Sequence, residues 1–196
     1  MDVFEAIRTT RAMRRLDSSR IVSDEDIRKI VEAATKAGSA GNRQPVRWLV
    51  VRDGEKRRRL GELYRECVEP LLRDDEERAK TDPATARRLK STRHLARHLG
   101  EAPVLILACA PGQVQAAVFV GVQNLMLAAR ALGLGTTLTT SHRCNEEKIK
   151  ALLGIPDDVS TFCIIPVGYP LGRWGEAQRQ PVEQLAYRDA WGQNLR

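Results

Sequence analysis

The chain has 196 residues, a length that suits one domain, and 42% of them are hydrophobic while 29% are charged. This composition excludes a disordered chain, and no apolar run approaches the ~18 residues of a membrane span. The net charge is +7, but the basic residues are spread along the chain and few of the aromatic residues lie among them, so we expect a charged surface and no nucleic-acid partner.

The first third of the chain predicts helices around a polar loop. Residues 2–15 read as a helix, which would place Arg11, Arg14 and Arg15 on one face. Ser23 is a candidate N-cap, and the apolar spacing after it predicts an amphipathic helix that ends at Gly38. The elements that follow are a polar loop at 38–45, a strand at 48–51 and a helix at 55–67.

Residues 71–98 are highly charged and predict a mobile excursion of one or two surface helices, broken near Asp82-Pro83. Apolar and β-branched runs then predict a strand at 104–109, a helix at 115–132 buried on most sides, a strand at 136–140, a helix at 145–153 ended by Gly154, and a strand at 162–167. The tail 171–196 has little periodicity. With no repeat or linker, residues 1–196 predict a single α+β domain with a small sheet covered by helices.

The cysteines and histidines give no catalytic or metal-binding pattern. The cysteines, at 67, 109, 144 and 163, form no CxxC pair and no zinc spacing. A chain of this size can fold without disulfides, and it begins without a secretion signal, so we expect free thiols and a cytoplasmic location. Cys109 and Cys163 lie in apolar runs and are expected in the core, whereas His142 is expected at the surface or an interface.

Two polar motifs suggest ligand binding. The arginines between Arg8 and Arg15 carry guanidinium groups, whose planar forks bind two phosphate oxygens at once. In the loop 39–45, small residues would let a ligand approach the backbone, and Asn42 offers both a donor and an acceptor. Neither the dinucleotide-binding GxGxxG pattern nor the P-loop pattern occurs, so these motifs alone assign no function.

Taken in order, five segments resemble the flavin-dependent nitroreductase family. They are AIRTTRAMRRL near the start, AGSAGNRQPVRWLVV at 37–51, QNLMLAARALGLGTTLTT at 123–140, LLGIPDDVSTFCIIPVGYPLGR at 152–173 and the terminal RQPVEQLAYRDAWG. The resemblance covers nearly the whole chain except 71–98. It implies a nitroreductase-like fold with a mostly antiparallel sheet, in an intertwined homodimer with the tail 171–196 packed on the partner. It also implies FMN at each subunit interface and NADH or NADPH as electron donor.

The same resemblance implies roles for individual residues. Arg11 and Arg179 would hold the FMN phosphate, and Arg14 would lie near the flavin N1 and O2 atoms and stabilise the reduced, anionic flavin. Ala12 stands in the same motif where the family often has Ser, and Ala177 where it often has a basic residue. The other implied cofactor contacts are Ser39, Asn42 and Gln44 from the second subunit, and Leu138, Thr139 and Thr140 along the ring. No catalytic side chain is implied, because the redox chemistry occurs at the flavin N5.

The resemblance implies an oxidoreductase in which NAD(P)H reduces the flavin, which then reduces an electron-poor acceptor such as a nitroaromatic or a quinone in a ping-pong cycle. The charged excursion 71–98 would shape the substrate channel. The residues leave open a flavin-dependent dehydrogenase or dehalogenase on the same fold, and a flavin-binding protein without turnover. A nucleic-acid-binding protein, suggested only by the net charge, would bind more weakly as salt is added.

Overall fold

The computed structural model describes residues 1–112 and 114–195, whose strands form one antiparallel sheet. The strands are β1 (Arg47–Val51), β2 (Val104–Pro111), β3 (Gly135–Thr136) and β4 (Val159–Gly168), in the spatial order β1-β2-β4-β3. The predicted strands at 48–51, 104–109 and 162–167 are confirmed. The predicted strand at 136–140 is shorter: β3 pairs over two residues, and a single bridge then joins Thr139 to Ile164.

Helices cover both faces of the sheet. They are α1 (Val3–Thr9), α2 (Asp24–Thr35), α3 (Gly54–Asp74), α4 (Glu76–Ala79), α5 (Pro83–His98), α6 (Gln115–Ala131) and α7 (Glu146–Leu153). Successive side chains of a strand point to opposite faces. Ile106 of β2 therefore packs with α2 and α6, whereas Leu105 and Leu107 pack with α3, α5 and α7. Every residue of β2 from Val104 to Ala110 is buried, because both of its faces are covered.

The predicted helix over 2–15 is wrong in its second half. α1 ends at Thr9, and Thr10 is already extended, with φ −68° and ψ 123°. The segment after it is held by the sheet: the Met13 amide donates to the Thr136 carbonyl, and Leu16 bridges to Pro170. These long-range hydrogen bonds replace the helical ones, so the arginines of this segment do not share a helix face.

The charged stretch 71–98 is part of the core on one side, so the expectation that it lies outside the core is wrong. Leu72, Leu89 and Leu95 are buried in the cluster that α3 and α5 form over the sheet. Apolar residues are few here, but they lie on one face, and one face is enough to anchor a helix. The predicted break is confirmed: the Asp82 carboxylate caps α5 at the amides of Ala84 and Thr85.

Two other helix predictions need correction. α2 ends at Thr35 with Lys36 as its C-cap, so Gly38 does not close it. α6 is less enclosed than expected, because Phe119 and Val120 are 38% and 49% exposed. The core face of α6 includes Val118, Val122 and Leu125. Among the described residues, none of the helices combines the length and the apolar character that a membrane span requires.

A disulfide joins Cys67 of α3 to Cys144, so the expectation that all the thiols are free is wrong. The two residues are 77 positions apart, and only the tertiary fold brings their Cα atoms to 5.7 Å. The sequence spacing could not reveal this pairing. Cys109 and Cys163 are buried free thiols, as expected, and burial raises the pKa of Cys163 to about 12.

Candidate functional site

A cavity of about 330 Å³, hereafter the cationic cavity, opens where the extended segment after α1 passes α5. Its lining contains six basic side chains and no carboxylate; the six are Arg11, Arg14, Arg15, Arg87, Lys90 and Arg173. Within the described residues, none of the six forms an ion pair with Asp or Glu. Like charges gathered in a cleft without counter-charges create a potential that attracts anions.

Helix α5 supplies one wall of the cationic cavity. This role of α5 was not predicted from the sequence. Arg87, Lys90, Ser91 and His94 line the cavity, and their spacing of i, i+3, i+4 and i+7 places them on one helix face. This periodicity was visible in the sequence. Low apolar content predicts a solvent-exposed stretch, whereas the spacing of its polar residues indicates a shared helix face.

Arg14 is held in place at the cationic cavity by a neutral partner. Its Nη1 donates to the Ser91 hydroxyl over 3.3 Å. Partial burial lowers the pKa of Arg14, and the nearby Tyr64 acts in the opposite direction. An arginine starts from so high a pKa that it keeps its charge at neutral pH. Arg14 therefore presents a half-buried charge whose orientation is fixed by a hydrogen bond.

The segment 138–140 reaches the same region through Tyr64, another residue that sequence reasoning missed. The Tyr64 hydroxyl shares a hydrogen bond of 3.0 Å with Thr139 Oγ1, and both side chains are buried. Burial raises the pKa of Tyr64, so its phenol is neutral at pH 7. Leu138 packs partly against the core, and Thr140 is exposed. Two predicted cofactor-binding segments, 11–14 and 138–140, thus both approach Tyr64.

The predicted loop residues Ser39, Asn42 and Gln44 do not line the cationic cavity. Ser39 and Gln44 line a separate cavity of about 170 Å³ beside Trp48. Asn42 is exposed, and its Oδ1 accepts a hydrogen bond of 3.1 Å from Gln44 Nε2. Both residues adopt the left-handed backbone region, with φ of 52° and 46°. Such conformations cost free energy in residues other than glycine and concentrate at binding sites.

The predicted pair of phosphate-binding arginines is not brought together in the cationic cavity. Arg179 is exposed, its Nη1 donates to the Gln178 carbonyl over 2.8 Å, and it is not among the lining residues. Arg173, which the sequence did not single out, lines the cavity together with Arg11 and Ala12.

His142 is fully buried, so the expectation of a surface or interface position is wrong. The Thr161 hydroxyl donates to Glu146 Oε1 over 2.9 Å, and it therefore accepts the His142 Nε2 hydrogen over 2.9 Å. Burial lowers the pKa of His142 to about 4, so the ring is neutral. This histidine supports the segment after Thr140 and does not line the cationic cavity.

Comparisons with known proteins agree with this fold. Residues 7–169 match the family described as "Nitroreductase family". The "Putative NADH dehydrogenase/NAD(P)H nitroreductase" of Archaeoglobus fulgidus is 31% identical over 172 residues, which are 82% of either chain. Iodotyrosine deiodinase 1 of Mus musculus is 28% identical over 183 residues, 86% of this chain and 62% of that protein.

A solved structure adds a fold comparison. The crystal structure of "a putative nitroreductase in complex with fmn" from Desulfovibrio desulfuricans has a TM-score of 0.71 and 28% identity, covering 97% of this chain and 98% of that one. The antiparallel sheet between two helical layers, the order of the motifs and the match over residues 7–169 lead to one conclusion. The chain belongs to the Nitroreductase family.

Proposed function

We propose that this protein passes electrons from NADH or NADPH, by way of FMN, to an electron-poor acceptor such as a nitroaromatic compound or a quinone, in a ping-pong cycle. As a member of the Nitroreductase family, the chain is an NAD(P)H-dependent oxidoreductase that uses FMN; the acceptor is the proposed part. The observation that carries the assignment is the acid-free cationic cavity. The proposal places the enzyme in the cytoplasm on the availability of NAD(P)H alone, because the Cys67–Cys144 disulfide removes the support that free thiols would give. It includes no nucleic-acid or membrane partner.

The residues of the cationic cavity fit FMN. The FMN phosphate carries nearly two negative charges, and arginine is the side chain best suited to bind it, because each fork donates two parallel hydrogen bonds. Arg11 and Arg173 line the cavity without a competing carboxylate and would hold the phosphate. We retain Arg179 as a further phosphate ligand to be tested. The cavity volume of about 330 Å³ in one protomer lies at the small end of the range for cofactor sites.

The protein's own contribution to the chemistry is charge and orientation. FMN, when bound, supplies the two-electron redox chemistry, and the surrounding residues tune it. Arg14 would place a positive charge near the flavin N1 and O2 atoms, as the resemblance implies; one charge at about 4 Å is worth about 4 kcal/mol at an effective dielectric constant near 20. Ser91 orients that charge, and the neutral Tyr64 adds no charge of its own beside it. The remaining proposed contacts are Ala12, Leu138, Thr139 and Thr140.

The proposal includes a homodimer, in which Ser39, Asn42 and Gln44 of one subunit reach the flavin held by the other. Exposed apolar side chains support a second subunit: Phe4 and Ile7 on α1 are 71% and 52% exposed, and Phe119 and Val120 of α6 are also exposed. Large exposed apolar groups on one protein commonly mark an interface. Trp191 in the tail is 90% exposed, which supports packing of residues 171–196 on the partner.

A reductive dehalogenase on the same fold is the second candidate function. The similarity to iodotyrosine deiodinase 1 of Mus musculus over 86% of this chain favours it. The two reactions share the reduced cofactor and differ in the acceptor. Anaerobic mixing of the reduced protein with halogenated phenols and with nitroaromatics, with product analysis, separates them.

The visible absorption spectrum tests the proposed function. We expect yellow purified protein, or protein that becomes yellow with FMN, whose flavin bands bleach when NADH or NADPH is added without oxygen. An electron-poor acceptor should then restore the bands. A protein that cannot be reconstituted with FMN would contradict the cofactor assignment. Bound flavin that neither nicotinamide reduces would show a binding protein without turnover.

A further inference from the structure

A second cavity, of about 420 Å³, is lined mainly by α5 and is also rich in cations. Its charged and titratable lining residues are Arg15, Lys90, Arg93, Arg97, His94 and His98. No Asp or Glu lines it, and its lining also includes the apolar side chains of Ala86 and Leu89. It is hereafter called the outer cavity.

The outer cavity adjoins the cationic cavity. Arg15, Lys90 and His94 line both of them, so these three side chains form a shared wall. Arg97 lines the outer cavity and not the cationic one, and it lies one helical turn beyond Arg93 on α5. A ligand bound near Arg14 could therefore extend past the shared wall to Arg97.

The two cavities together hold more positive charge than FMN neutralises. Arg93 is compensated by Glu76, whose Oε1 lies 2.6 Å from its Nη2. Among the described residues, Lys90, Arg15 and Arg97 have no carboxylate partner, nor have the other arginines of the cationic cavity. An FMN phosphate brings about two negative charges to this group of seven uncompensated cations. The remaining positive charge creates a potential that favours a second anionic ligand beside the cofactor.

We infer that the outer cavity binds the 2′-phosphate of NADPH and makes NADPH the preferred electron donor. This inference rests on the proposed function, because it concerns the donor of that reaction. NADPH differs from NADH only by a phosphate monoester, which is the group that a cluster of arginine and lysine side chains recognises. Arg97 and Arg15 would contact the phosphate, and Lys90 would add charge from the shared wall.

The ratio of kcat/KM for NADPH to that for NADH measures the preference. We expect the wild-type ratio to exceed ten, and Arg97→Gln to lower it roughly tenfold or more, because a charge-assisted hydrogen bond to the 2′-phosphate is lost. Arg28→Gln is the matched control: Arg28 is an exposed arginine of α2 that lines neither cavity. An equal effect of both variants, or a wild-type ratio near one, would overturn the inference.

Direct binding separates this inference from the proposed function. Isothermal titration of the FMN-loaded protein with 2′,5′-ADP and with 5′-AMP should show at least tenfold tighter binding of 2′,5′-ADP, and Arg97→Gln should remove the difference. Equal affinities would refute a 2′-phosphate site. Inorganic phosphate that competes as well as 2′,5′-ADP does would assign the cavity to free phosphate and also refute it. Flavin reduced equally well by both nicotinamides would refute the inference and leave the proposed function intact.

Discussion

The Cys67–Cys144 disulfide is predicted to supply a large share of the stability of the fold. Its residues are 77 positions apart, so it closes a long loop in the unfolded chain. The chain-entropy relation gives about 4.5 kcal/mol at 25 °C for a loop of this length. Domains are usually stable by only ~5–15 kcal/mol, so reduction should shift unfolding strongly. We expect the free energy of unfolding to fall by roughly 2–4.5 kcal/mol when the bond is absent.

Two measurements test this prediction together. Thiol titration of the denatured, non-reduced protein should find only Cys109 and Cys163, and reduction should add two further thiols. Dithiothreitol should lower the free energy of unfolding of the wild type in urea. The double variant Cys67→Ala/Cys144→Ala should be equally unstable with and without reductant. Four free thiols before reduction would refute the disulfide, and an oxidised wild type no more stable than the reduced one would refute the entropic estimate.

Further predictions concern packing and protonation. Gly61→Ala should lower the free energy of unfolding by ~1–3 kcal/mol, because the added Cβ would lie 2.8 Å from the backbone nitrogen of Gly100. A backbone atom cannot move aside as a flexible side chain can. Gly54→Ala in the same helix meets only a side-chain atom at 3.8 Å, so urea unfolding should show little change, and equal losses for the two variants would contradict the close approach. Burial lowers the pKa of His142 to about 4 from 6.5, so the unfolded chain binds a proton that the folded chain excludes as the pH falls through this window. The free energy of unfolding should therefore keep its full value above about pH 6.5 and fall by about 3 kcal/mol towards pH 4. His142→Gln should flatten this dependence in urea titrations, and an unchanged slope would show that other groups cause it.

Local sequence signals predicted those parts of the fold that local interactions determine. The Ser23 hydroxyl caps α2 at the Asp26 amide, as expected from the N-cap pattern. Pro83 begins α5, at a position where the backbone N–H that proline lacks would have no partner within the helix. The buried strands were visible as apolar runs. The end of α1 was not predictable, because the partner of the Met13 amide is the Thr136 carbonyl, more than a hundred residues away.

In the candidate site, too, local patterns were predictable and long-range contacts were not. Motif order identified Arg11 and Arg14, which do share a cavity. The spacing from Arg87 to His94 indicates the helix face that lines the cavity, but the low apolar content of the same stretch predicts a solvent-exposed surface. Tyr64 had no signal of its own, since a tyrosine on an amphipathic helix face is typical of a core residue. The buried His142 is hydrogen-bonded to Thr161, a partner from β4 that only the tertiary fold brings near it.

The affinity for FMN is the most direct test of whether the cationic cavity holds the cofactor. Fluorescence titration of the apoprotein should give an FMN dissociation constant that Arg11→Gln raises roughly tenfold to a hundredfold, which corresponds to the loss of one charged hydrogen-bonded contact. Arg28→Gln, which removes a positive charge of the same kind outside the cavity, should leave the constant near the wild-type value. Wild-type affinity in Arg11→Gln, or equal weakening in both variants, would contradict the assignment of this cavity to the FMN phosphate.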